Sequence, residues 1–360
     1  LLKDRRRHQR LVHFKRKYRK YWVSIEGKFY LMSALVDGVA GVSVQDQDGG
    51  LESLVEWVRA NCTEKQRKNW DALNVARVPN ADGDHIMVTK TDIKKGFKLP
   101  LPPPCILTQD IVINSEVGQV FKGLDIYSLF SLFLLWQERV AGSHWAAYLN
   151  VLPRDIDFHP ITFLDKIQKD DDLELKEQLK KYDLLQRALG AQHAKLKGEW
   201  ERVKQLVKLQ RRKVELGKGK KILVEICDPE AASLTYDQFR WANCMIISRA
   251  FNIFEPRMMC MLPFVDSMNH TTEGPTINWK NKLVRGYFMM SAISNVSSGA
   301  ELTASYHEKP SGAPNQVAMS NLKTYLMYGF VDDSAVQVPL EVPFASLRRL
   351  IDSRLLESGK

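Results

Sequence analysis

Residues 173–216 read as a long helical run set in the middle of the chain, and any fold has to be built around it. Leu175, Leu179, Tyr182, Leu185 and Leu189 recur at three- and four-residue intervals, and Leu196, Trp200, Val203, Leu206 and Val207 continue the stripe. Lys, Glu and Arg crowd the opposite face, with i,i+4 partners such as Glu177 and Lys181. Gly190 predicts a break between two helices, and Gly217-Lys218-Gly219-Lys220 closes the run. The pattern is too short to stand alone as a coiled coil. Helical and strand-like segments lie on both sides of it, an α+β content.

With 360 residues, 44% of them apolar, the chain can bury a sizeable core as one large domain or two modest ones. The longest apolar run, residues 127–136, is a core helix and too short to span a membrane, so no membrane partner is expected. Cys62, Cys105, Cys227, Cys244 and Cys260 are odd in number, widely spaced and without a Cys-x-x-Cys pair. Neither a metal site nor a disulfide frame is expected from them, and a reducing compartment fits.

The net charge of +10 is local. Ten of the first 22 residues are basic and only Asp4 is acidic, so the arm carries +9 and the body is nearly neutral. Arg5, Arg6, Arg7, Lys15, Arg16, Lys17 and Arg19, interleaved with Phe14, Tyr18, Tyr21 and Trp22, are candidate RNA contacts through phosphate pairing and base stacking. The other reading is a solvated, partly helical extension or the remainder of a targeting sequence. The chain opens on Leu1, so an upstream segment is expected to be missing.

Leu51, Leu54, Val55 and Val58 have helical spacing. Residues 85–89 and 91–99 read as strands, with Gly96 at a tight reversal and Pro100 and Pro102 to Pro104 ending the run. Residues 124–140 and 236–251 read as helices, and the chain from there to Phe330 as short strands. Residues 276–280 and 284–290 flank Asn281, a hairpin signal. Residues 344–356 read as one short amphipathic helix.

Three segments carry a resemblance: Pro263-Phe264-Val265-Asp266-Ser267-Met268-Asn269-His270-Thr271, the strand Glu301-Leu302-Thr303-Ala304-Ser305 ending in Tyr306, and Ser320-Asn321 followed by Tyr328-Gly329-Phe330. With Trp145, Tyr148, Leu149, Leu152 and Pro153, they resemble SET-domain protein methyltransferases of the Rubisco large-subunit lysine methyltransferase and actin-histidine methyltransferase type. The resemblance implies a SET fold of short sheets with a pseudoknot. Its parts are a basic arm (1–22), a linker (23–50), an N-terminal SET part (51–164), a helical insertion (165–220), a C-terminal SET part (221–332) and a short remnant of a C-terminal helical domain (333–360).

It also implies roles. Tyr306 matches the catalytic tyrosine, against an ordinary half-buried strand tyrosine. Asn269 and His270, buried in a strand, match the pair that grips S-adenosylmethionine, against a structural knot satisfying buried backbone groups. Asp266 matches the acid of the same motif. Arg249 matches an arginine near the donor carboxylate and substrate channel, against an ion-paired residue at a helix end. Tyr328 and Phe330 match the channel wall. Gly83, Asp84 and His85 fall on the family's glycine-rich donor turn, where Asp84 and Ile86 replace small residues. Residues 307–319 form a longer surface loop than the family's, with His307 in place of a glycine. The expected activity is S-adenosylmethionine-dependent methylation of a protein lysine. The alternative is a catalytically degenerate SET scaffold, a structural or assembly component of an organellar ribosome-type ribonucleoprotein. The partner is a protein substrate or protein complex, and the suspected place an organelle interior, the mitochondrial matrix.

Overall fold

In the computed structural model, side chains and backbone are described for residues 50–79, 85–156, 159–162, 183–210, 234–252, 258–271, 274–279, 287–306 and 320–331. Backbone alone is described for residues 22–25, 28–31, 211–215, 253 and 280–284. The basic arm before Trp22, Gly83, Asp84, the loop 307–319 and the C-terminal segment from 332 lie outside the described residues. The chain divides into two units, residues 1–43 and 44–360. In the first, β1 (Trp22–Ile25) and β2 (Lys28–Leu31) form an antiparallel hairpin.

The second unit opens with α1 (Gly50–Ala60), which buries Leu51, Leu54, Val55 and Val58 on one stripe. Helix α2 (Glu64–Asp71) starts where the Gln66 side chain accepts the Thr63 backbone N–H at 2.9 Å. It ends where the Arg59 guanidinium donates to the carbonyls of Trp70 and Leu73 at 3.0 and 3.2 Å, tying α1 to the last turn of α2. Strands β3 (Val75–Pro79) and β4 (His85–Thr89) form a hairpin. The expected strand 91–99 is shorter and later than its sequence suggested. Residues 91–97 turn, with Gly96 at φ 87° and an isolated bridge from Ile93 to Val296, and β5 is Lys98–Leu101. Pro100 sits inside this strand rather than ending it, because β5 is an end strand of its sheet, where a missing N–H leaves no gap in the ladder. Strand β6 (Leu107–Thr108) leads into α3 (Gln109–Asn114) and α4 (Glu116–Val120), capped by the hydroxyls of Thr108 and Ser115.

Helix α5 (Ile126–Gln137) is buried nearly all round and starts where the Asp125 carboxylate accepts the Ser128 N–H at 2.8 Å. After the short α6 (Ala146–Leu149), the described part of the insertion is one helix, α7 (Asp183–Glu215). Gly190 lies inside it, so the expected break is absent. Leu185, Leu189, Leu196 and Val203 are buried along one stripe, and that packing outweighs the roughly 1 kcal/mol a mid-helix glycine costs. Helix α8 (Tyr236–Arg249), with Thr235 and Gln238 as a reciprocal cap, packs against α5. Strands β7 (Ala250–Ile253) and β8 (Met258–Met261) join β6 in a three-stranded antiparallel sheet.

The remaining strands are β9 (Asn269–His270), β10 (Ile277–Val284), β11 (Tyr287–Ala292) and β12 (Thr303–Ala304), followed by α9 (Asn321–Tyr328). They form a sheet in the order β5-β11-β10-β12-β9, antiparallel from β5 to β10 and parallel from β10 through β12 to β9. The expected turn at Asn281 is a register shift inside β10, between Trp279 and Leu283, and the reversal falls between Val284 and Tyr287. An Asn within a strand serves a bulge as well as a turn. Among the described residues no helix is long and apolar enough to cross a membrane, and Cys62, Cys105, Cys244 and Cys260 are free and buried.

Gly118 marks the tightest approach between helices. A Cβ there would stand 2.3 Å from the Val112 carbonyl oxygen and 2.4 Å from that of Ile113, both rigid backbone atoms. Gly118→Ala is expected to cost about 3 kcal/mol, the upper end for overpacking. A fall in the urea midpoint at unchanged slope measures it, and an unshifted midpoint would contradict the packing.

Candidate active site

The site is assembled on the turn that precedes β9. Phe264 is fully buried with φ 76° and ψ −45°, the one non-glycine residue at positive φ among the described residues. Such a conformation costs on the order of 1–3 kcal/mol and survives where the surroundings over-determine it. Here the ring meets Trp70 edge-on at 5.0 Å, and the Trp70 indole donates to the Pro100 carbonyl at 2.9 Å. The chain then makes a single 3-10 turn, Val265–Ser267, and enters β9.

That turn buries Asp266 to 6% exposure. The Tyr148 hydroxyl, fully buried, donates to its Oδ2, while Oδ1 is buried without a hydrogen-bond partner. Burial pushes the Asp266 carboxyl up to about 6, against the opposing pull of the Arg249 guanidinium and the Tyr148 hydrogen bond. Burial, reinforced by Asp266, also holds the Tyr148 phenol well above its usual range. Arg249, at the C-terminal end of α8, donates through Nη1 to the backbone carbonyl of Asp266 at 2.6 Å. The bond ties the helix end to the Asn-His turn, and the Arg249 charge also acts on the Asp266 carboxyl.

Strand β9 pairs in parallel with β12, Asn269 opposite Thr303 and His270 opposite Ala304. This ladder carries Tyr306 back to the turn. Its hydroxyl donates to the Met268 carbonyl at 2.7 Å, and its backbone N–H donates to His270 Nδ1 at 2.9 Å. Burial pushes the Tyr306 phenol up to about 12, so it is a neutral hydrogen-bonding group at physiological pH. The rings of His270 and Tyr328 lie 5.0 and 4.9 Å from that of Tyr306, and Phe330 stacks on Tyr328 at 5.8 Å and faces His270 at 5.6 Å. Tyr306, His270, Tyr328 and Phe330 are thus one aromatic cluster.

Asn269 differs from expectation: it is exposed rather than buried, and its amide donates to Glu301 Oε1 at 2.9 Å. β9 is an end strand of the sheet, so a side chain there lacks a second neighbouring strand to cover it. His85 is half-buried at the start of β4, two residues before Met87, whose carbonyl accepts the Leu302 N–H at 2.8 Å just ahead of β12. Gly83 and Asp84 are outside the described residues. Two features escaped sequence reasoning. Tyr148 stood in a recognised segment without a role, and the carbonyls of Asp266 and Met268 are backbone groups that any residue type supplies.

No family model matches the chain. Among curated proteins it is 25% identical over 264 residues to the chloroplastic Rubisco large-subunit N-methyltransferase of Nicotiana tabacum, over 70% of this chain and 46% of that one. It is 25% identical over 268 residues to the chloroplastic fructose-bisphosphate aldolase lysine N-methyltransferase of Arabidopsis thaliana, over 72% of this chain and 50% of that one. It is also 26% identical over 200 residues to SET domain-containing protein 4 of Mus musculus, over 51% and 40%. The chain spans about half the length of the curated relatives it matches. Among solved structures, the SET domain of LSMT bound to lysine and AdoHcy superposes with a TM-score of 0.56 at 21% identity, over 78% of this chain and 57% of that one. Rubisco LSMT bound to AdoMet gives 0.51 at 21% identity, over 79% and 57%. The chain has the SET fold, and its homologues are Rubisco large-subunit methyltransferases and related SET-domain lysine methyltransferases.

The buried carboxyl makes the stability of this turn depend on pH. Asp266 titrates at about 6 when folded and near its ordinary 3.8 when unfolded, so the folded state holds the proton more tightly. The stability it contributes is complete below about pH 4 and is lost as pH rises through about 6, a change of roughly 3 kcal/mol. Asp266→Asn is expected to remove this slope. The wild-type unfolding free energy, minus that of the variant, should fall by roughly 3 kcal/mol between about pH 4 and pH 7. Urea titrations at the two pH values test it, and parallel pH dependences would disprove the burial of a titrating carboxyl.

Proposed function

We propose that this chain is an S-adenosylmethionine-dependent protein methyltransferase acting on a lysine side chain. The observation that carries the reading is the Tyr306 hydroxyl fixed on the Met268 carbonyl inside a cluster of four aromatic rings. The comparisons support it as well: relatives over most of this chain are named as methyltransferases, and solved neighbours hold AdoMet or AdoHcy. Nothing in them favours the scaffold reading.

When bound, S-adenosylmethionine supplies an electrophilic methyl group on a sulfonium. The residues fit such a donor: aromatic faces suit a cationic sulfur, and an end strand bearing Asn269 and His270 offers polar groups away from the sheet. Asn269, His270 and Arg249 would hold it, with Asp266 fixing the turn from which they act. The acceptor amine has to be neutral, and a buried aromatic lining disfavours its charged form. Tyr306, already donating its proton to Met268, keeps lone pairs to accept an amine N–H and orient the nitrogen. Tyr328 and Phe330 would wall the channel against water. The protein substrate is the partner this requires. Chloroplastic relatives make an organelle interior the supported compartment, without favouring the mitochondrial matrix. The RNA reading of the arm rests on its charge alone.

Two measurements test the proposal. S-adenosylmethionine at a hundredfold excess over its dissociation constant is expected to raise unfolding free energy by about 2.7 kcal/mol, and no thermal shift at saturating donor would refute a working pocket. Tyr306→Phe is expected to cut lysine methylation by about a hundredfold or more while donor binding and folding persist. Methylation within a few-fold of wild type would remove Tyr306 from the reaction.

A further inference from the structure

Helix α9 ends where the aromatic lining begins, so whatever holds its last turn also holds Tyr328 and Phe330. An α-helix leaves its final carbonyls without intrahelical donors. Here successive carbonyls are satisfied from different places. The Tyr325 carbonyl accepts the N–H of Gly329 at 2.8 Å, with Gly329 in the left-handed conformation at φ 81°. The Leu326 carbonyl accepts from Gln192 Nε2 at 3.1 Å, and the Met327 carbonyl lies 2.9 Å from His159 Nε2.

The geometry defines the direction of both side-chain bonds. His159 Nδ1 accepts the Ile161 N–H at 3.1 Å, so the ring proton sits on Nε2 and is donated to Met327. His159 is wholly buried, at 0% exposure. The Gln192 amide faces its partner with nitrogen, because the reverse orientation would oppose two carbonyl oxygens, and its own Oε1 stays buried without a hydrogen-bond partner. Gln192 belongs to the inserted helix α7, which packs on the same Pro160–Thr162 turn that follows His159.

We propose that His159 and Gln192 are positioning residues, a two-point clamp through which the helical insertion sets where Tyr328 and Phe330 stand against Tyr306. The inference deepens the methyltransferase reading and rests on it for the meaning of the lining as an acceptor channel. The clamp itself is a separate claim about the last turn of α9. Without these donors two part-buried carbonyls lose their partners and that turn loosens, displacing rings whose placement by about 1 Å matters to transfer.

Three variants test the clamp: Gln192→Met removes one donor, His159→Leu removes the other, and His159→Gln keeps an Nε2–H to give Met327. Hydrogen exchange of the full chain is followed over residues 321–331, alongside S-adenosylmethionine affinity and methyl transfer from labelled donor to a lysine-peptide library. Exchange at residues 326–330 is expected to rise by about tenfold or more in Gln192→Met and His159→Leu, and to stay near wild type in His159→Gln. Donor affinity should hold within about twofold while turnover drops by about tenfold, with rescue again in His159→Gln. If His159→Leu does not fold, Gln192→Met decides. Wild-type exchange at residues 326–330 in the donor-less variants overturns the clamp, as does a rise spread evenly over the chain, which marks general destabilisation. A wild type that neither binds donor nor transfers methyl instead overturns the methyltransferase reading and the acceptor role with it, the exchange result still judging the clamp.

Discussion

Everything in the site hangs on a parallel ladder only two residues long, Asn269 and His270 against Thr303 and Ala304. So few hydrogen bonds cannot hold two distant segments together by themselves. What holds them is burial on both sides: Met268, Leu302 and Ala304 are shielded completely, Ile277 pairs with Ala304 from the next strand, and Leu302 reaches across to the Met87 carbonyl. The side chains with chemical interest then finish the closure, Asn269 on Glu301 and His270 on the Tyr306 backbone. The groups proposed to hold the donor are thus also fastening groups. A substitution at His270 therefore alters where Tyr306 stands as well as what His270 itself touches.

The turn feeding this ladder carries two costs within three residues, a positive φ at Phe264 and a buried carboxyl at Asp266. Glycine at the first position and an apolar residue at the second would relieve both on local grounds alone. The arrangement instead exposes two successive useful carbonyls to cationic or hydroxyl donors: Asp266 to Arg249 and Met268 to Tyr306. The Tyr148 hydroxyl donates to the carboxyl itself, a further tie on the turn. Strain and polar burial are thus gathered within one turn, beside the groups the proposed reaction would use.

Periodic features were legible in the sequence and pairwise ones were not. The spacing of Leu51, Leu54, Val55 and Val58 maps onto α1 because the helix buries that stripe, and the strand read over residues 85–89 is β4. The grouping of Tyr306, Tyr328 and Phe330 was readable only through the order of motifs in a family. Asn281 misled because a bulge and a turn ask for the same residue, and Gly190 because local propensity is weaker than a buried stripe of leucines. Pro100 depended on which strand ends the sheet, a fact no window of sequence contains. Asn269 turned outward for a related reason, and Tyr148 found Asp266 across 118 residues.

The charges around the turn bear on the proposed reaction in a definite direction. The Arg249 guanidinium is cationic, and its field reaches Asp266, Tyr148 and Tyr306, while burial disfavours the charged form of the Asp266 carboxyl beside it. A lysine ammonium entering such a place meets a fixed positive charge and an apolar lining at once. Both effects favour the neutral amine, the form whose lone pair can attack a methyl group. A fully ionised Asp266 would work against this by drawing the ammonium in and stabilising its proton. Burial raises its titration point to about 6 against Arg249 and the Tyr148 hydrogen bond, so this opposing charge is largely present at neutral pH and desolvation with the Arg249 charge has to outweigh it. Deprotonation of the acceptor can thus follow from solvation and charge placement, with Tyr306 left to orient the nitrogen.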